Sequence, residues 1–110
     1  MNACAIEPTI SYQSDIRPII KDNCLQCHVP PDGVGYLNTG LNLSTYETLM
    51  HGTVYGPVII PGDSKRSILN KLVEGRAGIL MRMPHNKKDP LTEEDIKTLK
   101  LWVNQDAKNN

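Results

Sequence analysis

"DNCLQCHVPPD", residues 22–32, is the stretch on which the reading of this chain turns. Cys24 and Cys27 stand three positions apart and His28 follows at once. Two thiols and an imidazole this close in sequence call for a shared partner. If residues 24–28 continue or restart a helical turn, positions 24, 27 and 28 lie on one face, because residues at i, i+3 and i+4 do. What they share depends on the chain around them.

That chain is short. At 110 residues it makes a single domain the expectation. Its core is small, and a bound cofactor would help to fill it. Phe is absent and aromatic residues make up only 5%, so packing mass has to come from elsewhere. Twelve basic residues balance twelve acidic ones, giving a formal charge of zero. With no arginine-rich stripe, nucleic acid is not an expected partner. No apolar run approaches the roughly 18 residues of a membrane span. The start, "MNACAIEP", carries no visible signal peptide and is compatible with a methionine placed ahead of a mature, processed chain.

The hydrophobic pattern predicts short helices separated by Gly/Pro-rich loops, with no repeats. The first helix is expected from about Ser14 to Asn23, with Ile16, Ile19 and Ile20 as an apolar stripe. Pro18 fits only in its first turn. A second begins at Ser44, where "STYE" has the form of a capping box from Ser44 to Glu47, and Gly52 is its stop signal. A third starts near Asp63 or Ser64, carries Ile68, Leu69, Leu72 and Val73, and ends at Gly75. The fourth is capped by Thr92, with Asp95 at the third helical position and Leu91 placed to staple onto Ile96. Ile96, Leu99 and Val103 form its stripe, with Trp102 beside it. The loops 29–40 and 52–62 are long for so small a domain, and loops of that length often bind something. Only "PVII", 57–60, has a strand-like composition, so the architecture is expected to be mostly α.

In this setting the opening motif suits a haem. Cys24 and Cys27 can form thioethers with its two vinyl groups, and His28 can reach the iron from one side. "CLQCH" is the attachment pattern of c-type cytochromes. The competing readings are weaker. A thioredoxin-like dithiol wants a preceding strand and a βαβ context, and neither is indicated. A zinc site wants four ligands. Cys4, Cys24, Cys27 and His28 would have to supply them, although Cys27 and His28 are adjacent and Cys4 is distant in sequence. A structural disulfide is the remaining alternative.

The likeness extends beyond the motif. "DIRPIIKDNCLQCH", "LNLSTYETLMHGTVYGPVIIPGDSKRSILNKLVEG" and "RMPHNKKDPLTEEDIKTLKLWVNQDA" follow one another in the order of a class I cytochrome c. More closely, the chain resembles the planctomycete-type cytochrome c domain over about residues 12–107. The resemblance implies a class I cytochrome c fold, with short helices and Gly/Pro-rich loops wrapped around one covalently bound haem c. It implies that the first and last helices cross and pack beside the haem. It implies His28 as proximal and Met83 as distal ligand, and electron transfer in an exported compartment. On this reading residues 1–11 are an N-terminal tail, 12–107 the cytochrome domain and 108–110 a C-terminal tail.

Where the family usually has Met-Pro-Pro, this chain has Met83-Pro84-His85. Of its four methionines, Met1 is terminal and Met50 falls in the second helix, on a buried pattern. Met81 and Met83 would face the same way in extended backbone, so alternation does not choose between them. Pro84 favours Met83, which it biases towards an extended conformation while removing a nearby backbone donor. His85 and His51 are the alternative sixth ligands; His51 otherwise suits the C-terminal end of a helix dipole.

Several residues have two readings. Trp102 and Tyr55 are candidates to bond a haem propionate, but Trp102 is better placed as the largest core residue of the last helix. Arg76, Arg82, Lys87 and Lys88 form either a basic rim for a redox partner or a solvated loop. Cys4 is left over once the motif is assigned, and its place near the start suggests a lipid-modified cysteine. The expected protein is a monomeric monohaem electron carrier, periplasmic or otherwise exported. It would work with redox partner proteins and would touch a membrane only through a lipid on Cys4. A haem sensor, a small peroxidase-like enzyme, and a haem domain of a larger redox enzyme are the alternatives.

Overall fold

Pro18 has no N–H, and its ring crowds the carbonyl one turn back, so a regular helix cannot run through it unaltered. The turn ahead of it, Tyr12–Ile16, is wound as a π-helix: Ile16 N donates to Ser11 O at 3.2 Å and Arg17 N to Tyr12 O. Regular helix α1 then runs Arg17–Asn23, placing Pro18 in its first turn as expected. The helical segment starts earlier than Ser14, because Ser11 caps it through Oγ, which accepts Ser14 N at 3.1 Å. Ile16, Ile19 and Ile20 are all buried. Each such side chain contributes about 1.5–3 kcal/mol relative to exposure. The structure, a computed structural model, describes residues 8–23, 33, 37, 39–75 and 91–110.

Helix α2, Tyr46–His51, has its capping box one residue later than the sequence pattern indicates. Thr45 Oγ1 accepts Thr48 N at 3.1 Å, and Thr48 Oγ1 accepts Thr45 N at 3.2 Å. Ser44 is not available as the cap. Its hydroxyl and its N–H both donate to Asn42 Oδ1, at 2.6 and 2.9 Å. Gly52 ends α2 at φ 85°, as expected. Beyond it Thr53 and Gly56 exchange backbone bonds at 2.9 and 3.0 Å, putting Val54 and Tyr55 at the tip of a tight turn. The 57–60 stretch, alone in having a strand-like composition, forms no strand, although Val58 and Ile59 are both buried.

Helix α3 runs Ile68–Val73 and so begins later than Asp63 or Ser64. Side chains hold the preceding segment as turns. Asp63 Oδ1 accepts Arg66 N at 3.1 Å, while Ser67 Oγ accepts Ile60 N and donates to Asp63 O, both at 2.8 Å. Such local bonds compete with helix formation. With its hydroxyl turned back to the loop, Ser67 does not cap α3, and Leu69 N donates instead to Val58 O at 3.0 Å. Helix α4, Glu93–Asn104, starts as expected, with Thr92 Oγ1 accepting Asp95 N at 3.1 Å. Leu91, Leu99, Trp102 and Val103 are buried, and Ile96 packs on the same core.

The π-turn and α3 both pack against α4, which makes α4 the spine of the fold. Tyr12, Tyr46 and Trp102 meet there. Ring centroids of Tyr12 lie 5.3 Å from Tyr46 and 5.7 Å from Trp102. Three of the chain's five aromatic residues thus meet at one junction. Side-chain amides then zip the two ends of the described chain together. Gln105 accepts Ile10 N and donates to Pro8 O, at 2.9 and 2.8 Å. Asn110 accepts Tyr12 N and donates to Ile10 O, at 2.8 and 3.1 Å. Among the described residues the fold is helical, with no strand beyond the single Thr53–Gly56 bridge. No helix among them is long and apolar enough to cross a membrane.

Candidate functional site

The described elements lead directly into the two segments that carry the candidate ligands. Helix α1 ends at Asn23, immediately before Cys24. Helix α3 and Gly75, at φ 75°, end immediately before residues 76–90, and Leu91 resumes the core on the far side. Cys24, Cys27, His28 and Met83 lie outside the described residues, as do Cys4, Met81, His85, Arg76, Arg82, Lys87 and Lys88. Among the described residues no group of His, Cys, Asp and Glu is gathered as a metal site.

The described candidates fall in distinct places. Trp102 is fully buried and its indole N–H donates to Lys108 O at 3.0 Å, so it is a core residue anchoring the chain after α4. Tyr55 is 89% exposed at the tip of its turn. Met50 is partly buried against the core. His51 is the exposed last residue of α2, where the dipole favours a cation.

Buried polar groups show where something other than protein is wanted. Ser64, Ser67 and Asn70 are the buried polar residues among those described. Ser67 is satisfied by the loop 60–63, and Ser64 N donates to Asn104 Oδ1 at 3.0 Å. Asn70, on α3, differs. It is 0% exposed, yet among the described residues neither Nδ2 nor Oδ1 has a hydrogen-bond partner. A buried polar atom left unmade costs about 1–3 kcal/mol, so an amide without partners at either end marks a place for a bound group or water. The pattern reading of α3 singled out its apolar residues and passed over Asn70. The signal was present, since Asn70 and Val73 at i and i+3 share the face that the helix buries.

The comparison with known families places the chain. The family model for Planctomycete cytochrome C matches residues 24–86, more than half of the chain. The chain belongs to this cytochrome c family. No curated protein and no solved structure matches it.

Membership implies covalent haem c and haem-based electron transfer. The residues of this cytochrome fit that group. The match opens at Cys24, takes in Cys27, His28 and Met83, and contains Asn70, whose amide has no hydrogen-bond partner among the described residues. The small helical fold fits as well. Tyr12 also has a buried hydroxyl without a partner, but it stands outside the matched segment, among Tyr46 and Trp102.

Proposed function

We propose that this cytochrome is a monohaem electron carrier. The observation that carries the reading is one of position: the family match begins on the first cysteine of "CLQCH" and closes just after Met83-Pro84. A covalently held haem supplies a one-electron iron couple whose potential the protein sets through axial ligands, burial and hydrogen bonds. Cys24 and Cys27 would hold the group by thioether bonds, and His28 and Met83 would ligate its iron. A methionine thioether there favours the reduced iron and raises the potential relative to histidine. In this role the chain breaks no bonds and serves redox partner proteins. The basic residues Arg76, Arg82, Lys87 and Lys88 around the methionine segment offer such a partner a positive rim. The working compartment is an exported one, where attachment of haem to cysteine pairs takes place, and a lipid on Cys4 would hold the protein at a membrane.

Acid–acetone extraction tests the proposal. The haem should stay with the polypeptide, and Cys24→Ala combined with Cys27→Ala should release it. Haem extracted from the unmutated protein would refute the reading. Carbon monoxide separates a carrier from a sensor or peroxidase-like enzyme. The reduced protein should not bind it rapidly at neutral pH, because Met83 would already ligate the iron.

A further inference from the structure

Asn70 is a polar side chain that the fold fully buries and that has no hydrogen-bond partner among the described residues at either end of its amide. It is held firmly. Leu69 and Val73 are buried beside it on α3, and the helix packs on α4. A leucine or valine at this position would bury without an orphaned polar group, so burial alone does not account for an asparagine. No lysine or arginine among the described residues is buried, and the Asn70 amide is a neutral donor buried on α3.

We propose that Asn70 is a haem-binding residue, its Nδ2 donating a hydrogen bond to a carboxylate of the haem. This rests on the reading of the chain as a haem-bearing cytochrome. A haem offers hydrogen-bond acceptors at its propionates, while its ring edge is apolar, so the amide N–H finds its acceptor there. The carbonyl end, Oδ1, needs a donor, which a buried water supplies. The consequence is a tuning role. A donor to the carboxylate draws off part of the negative charge beside the iron and so raises the potential.

The experiment uses the haem-loaded protein, with covalent attachment first verified by acid–acetone retention. Protein that fails this check counts against the haem reading, not against Asn70. In the loaded, unmutated protein the side-chain amide protons of Asn70 are followed by NMR in the reduced and oxidised states. A large shift between the two states, with slow exchange against solvent, is expected of an amide bonded beside paramagnetic iron. Asn70→Leu should then lower the reduction potential and move the propionate bending band in the resonance Raman spectrum. Asn70→Gln, which keeps the amide on a longer stem, should restore part of both changes. Amide protons that do not respond to the redox state would overturn the proposal, whether or not the leucine variant folds. So would an Asn70→Leu protein whose potential and propionate band match those of the unmutated one.

Discussion

The phenol of Tyr46 donates to the carbonyl of Ala107 at 2.7 Å, tying α2 to the chain just beyond α4 across 61 positions. Ala107 is itself fully buried, so its carbonyl has little access to water if the bond is lost. Tyr46→Phe keeps the ring that packs edge-on against Tyr12 and removes only the donor. We expect a loss of about 1–3 kcal/mol, the cost of leaving a buried acceptor unmade. Denaturant unfolding of the loaded protein measures it, and an unchanged midpoint would show the bond to be dispensable.

Gly52 ends α2 at φ 85° and ψ −146°, a region open to glycine and strained for other residues. A Cβ there would strike the carbonyl oxygen of Gly56 and stand 2.5 Å from Pro57 Cα. Both neighbours are backbone, so neither can swing aside. Gly52→Ala should cost about 2–4 kcal/mol from strain and overpacking together. Gly56→Ala is the control. Gly56 has φ 125° but open space around it, so it should lose less. Equal losses for the two variants would show that the close approach at Gly52 is not what matters.

Helix α4 ends in a Schellman arrangement. Ala107 N donates to Trp102 O at 2.9 Å and Asp106 N to Val103 O at 3.0 Å. The left-handed position is held by Asp106 at φ 76°, where glycine is the usual occupant. Asp106→Gly should relieve that strain and stabilise the fold by about 0.5–1 kcal/mol, net of the extra freedom glycine brings to the unfolded chain. The expected readout is a higher thermal midpoint; a lower one would mean that the aspartate makes a contribution outweighing its backbone strain.

Met83→Ala should abolish the weak sulfur-to-iron absorption at the red edge of the oxidised spectrum. It should also shift the potential down, within an axial-ligand range of roughly 0.8 V. Met81→Ala should do neither. Loss of the band on mutating Met81 alone would reassign the ligand. A native spectrum without the band would turn attention to His85 or His51.

Local signals were legible wherever a side chain acts on its own turn of backbone. Thr92 and Gly52 terminate their helices as the pattern says, and the isoleucine stripe of the first helix is buried. The errors came where two local bonds competed for one group. Ser44 was taken by Asn42, which passed the capping box to Thr45, and Ser67 turned back to the 60–63 loop, which delayed α3. Both choices depend on small differences in geometry between neighbouring hydroxyls, which residue types alone do not rank.

The sequence by itself determined the helical class and the family, and through the family the haem chemistry. These depend on residue type at fixed short spacing, which the chain carries wherever it folds. Tertiary structure decided which groups end up paired. Gln105 and Asn110 satisfy backbone from the opposite end of the described chain, and the Trp102 indole is consumed by Lys108 O, not left for a ligand. Asn70 emerges as a buried amide with no hydrogen-bond partner among the described residues. Burial and hydrogen-bond satisfaction are properties of the packed whole. A polar side chain becomes a demand for a partner only once the fold has removed the water that would otherwise meet it.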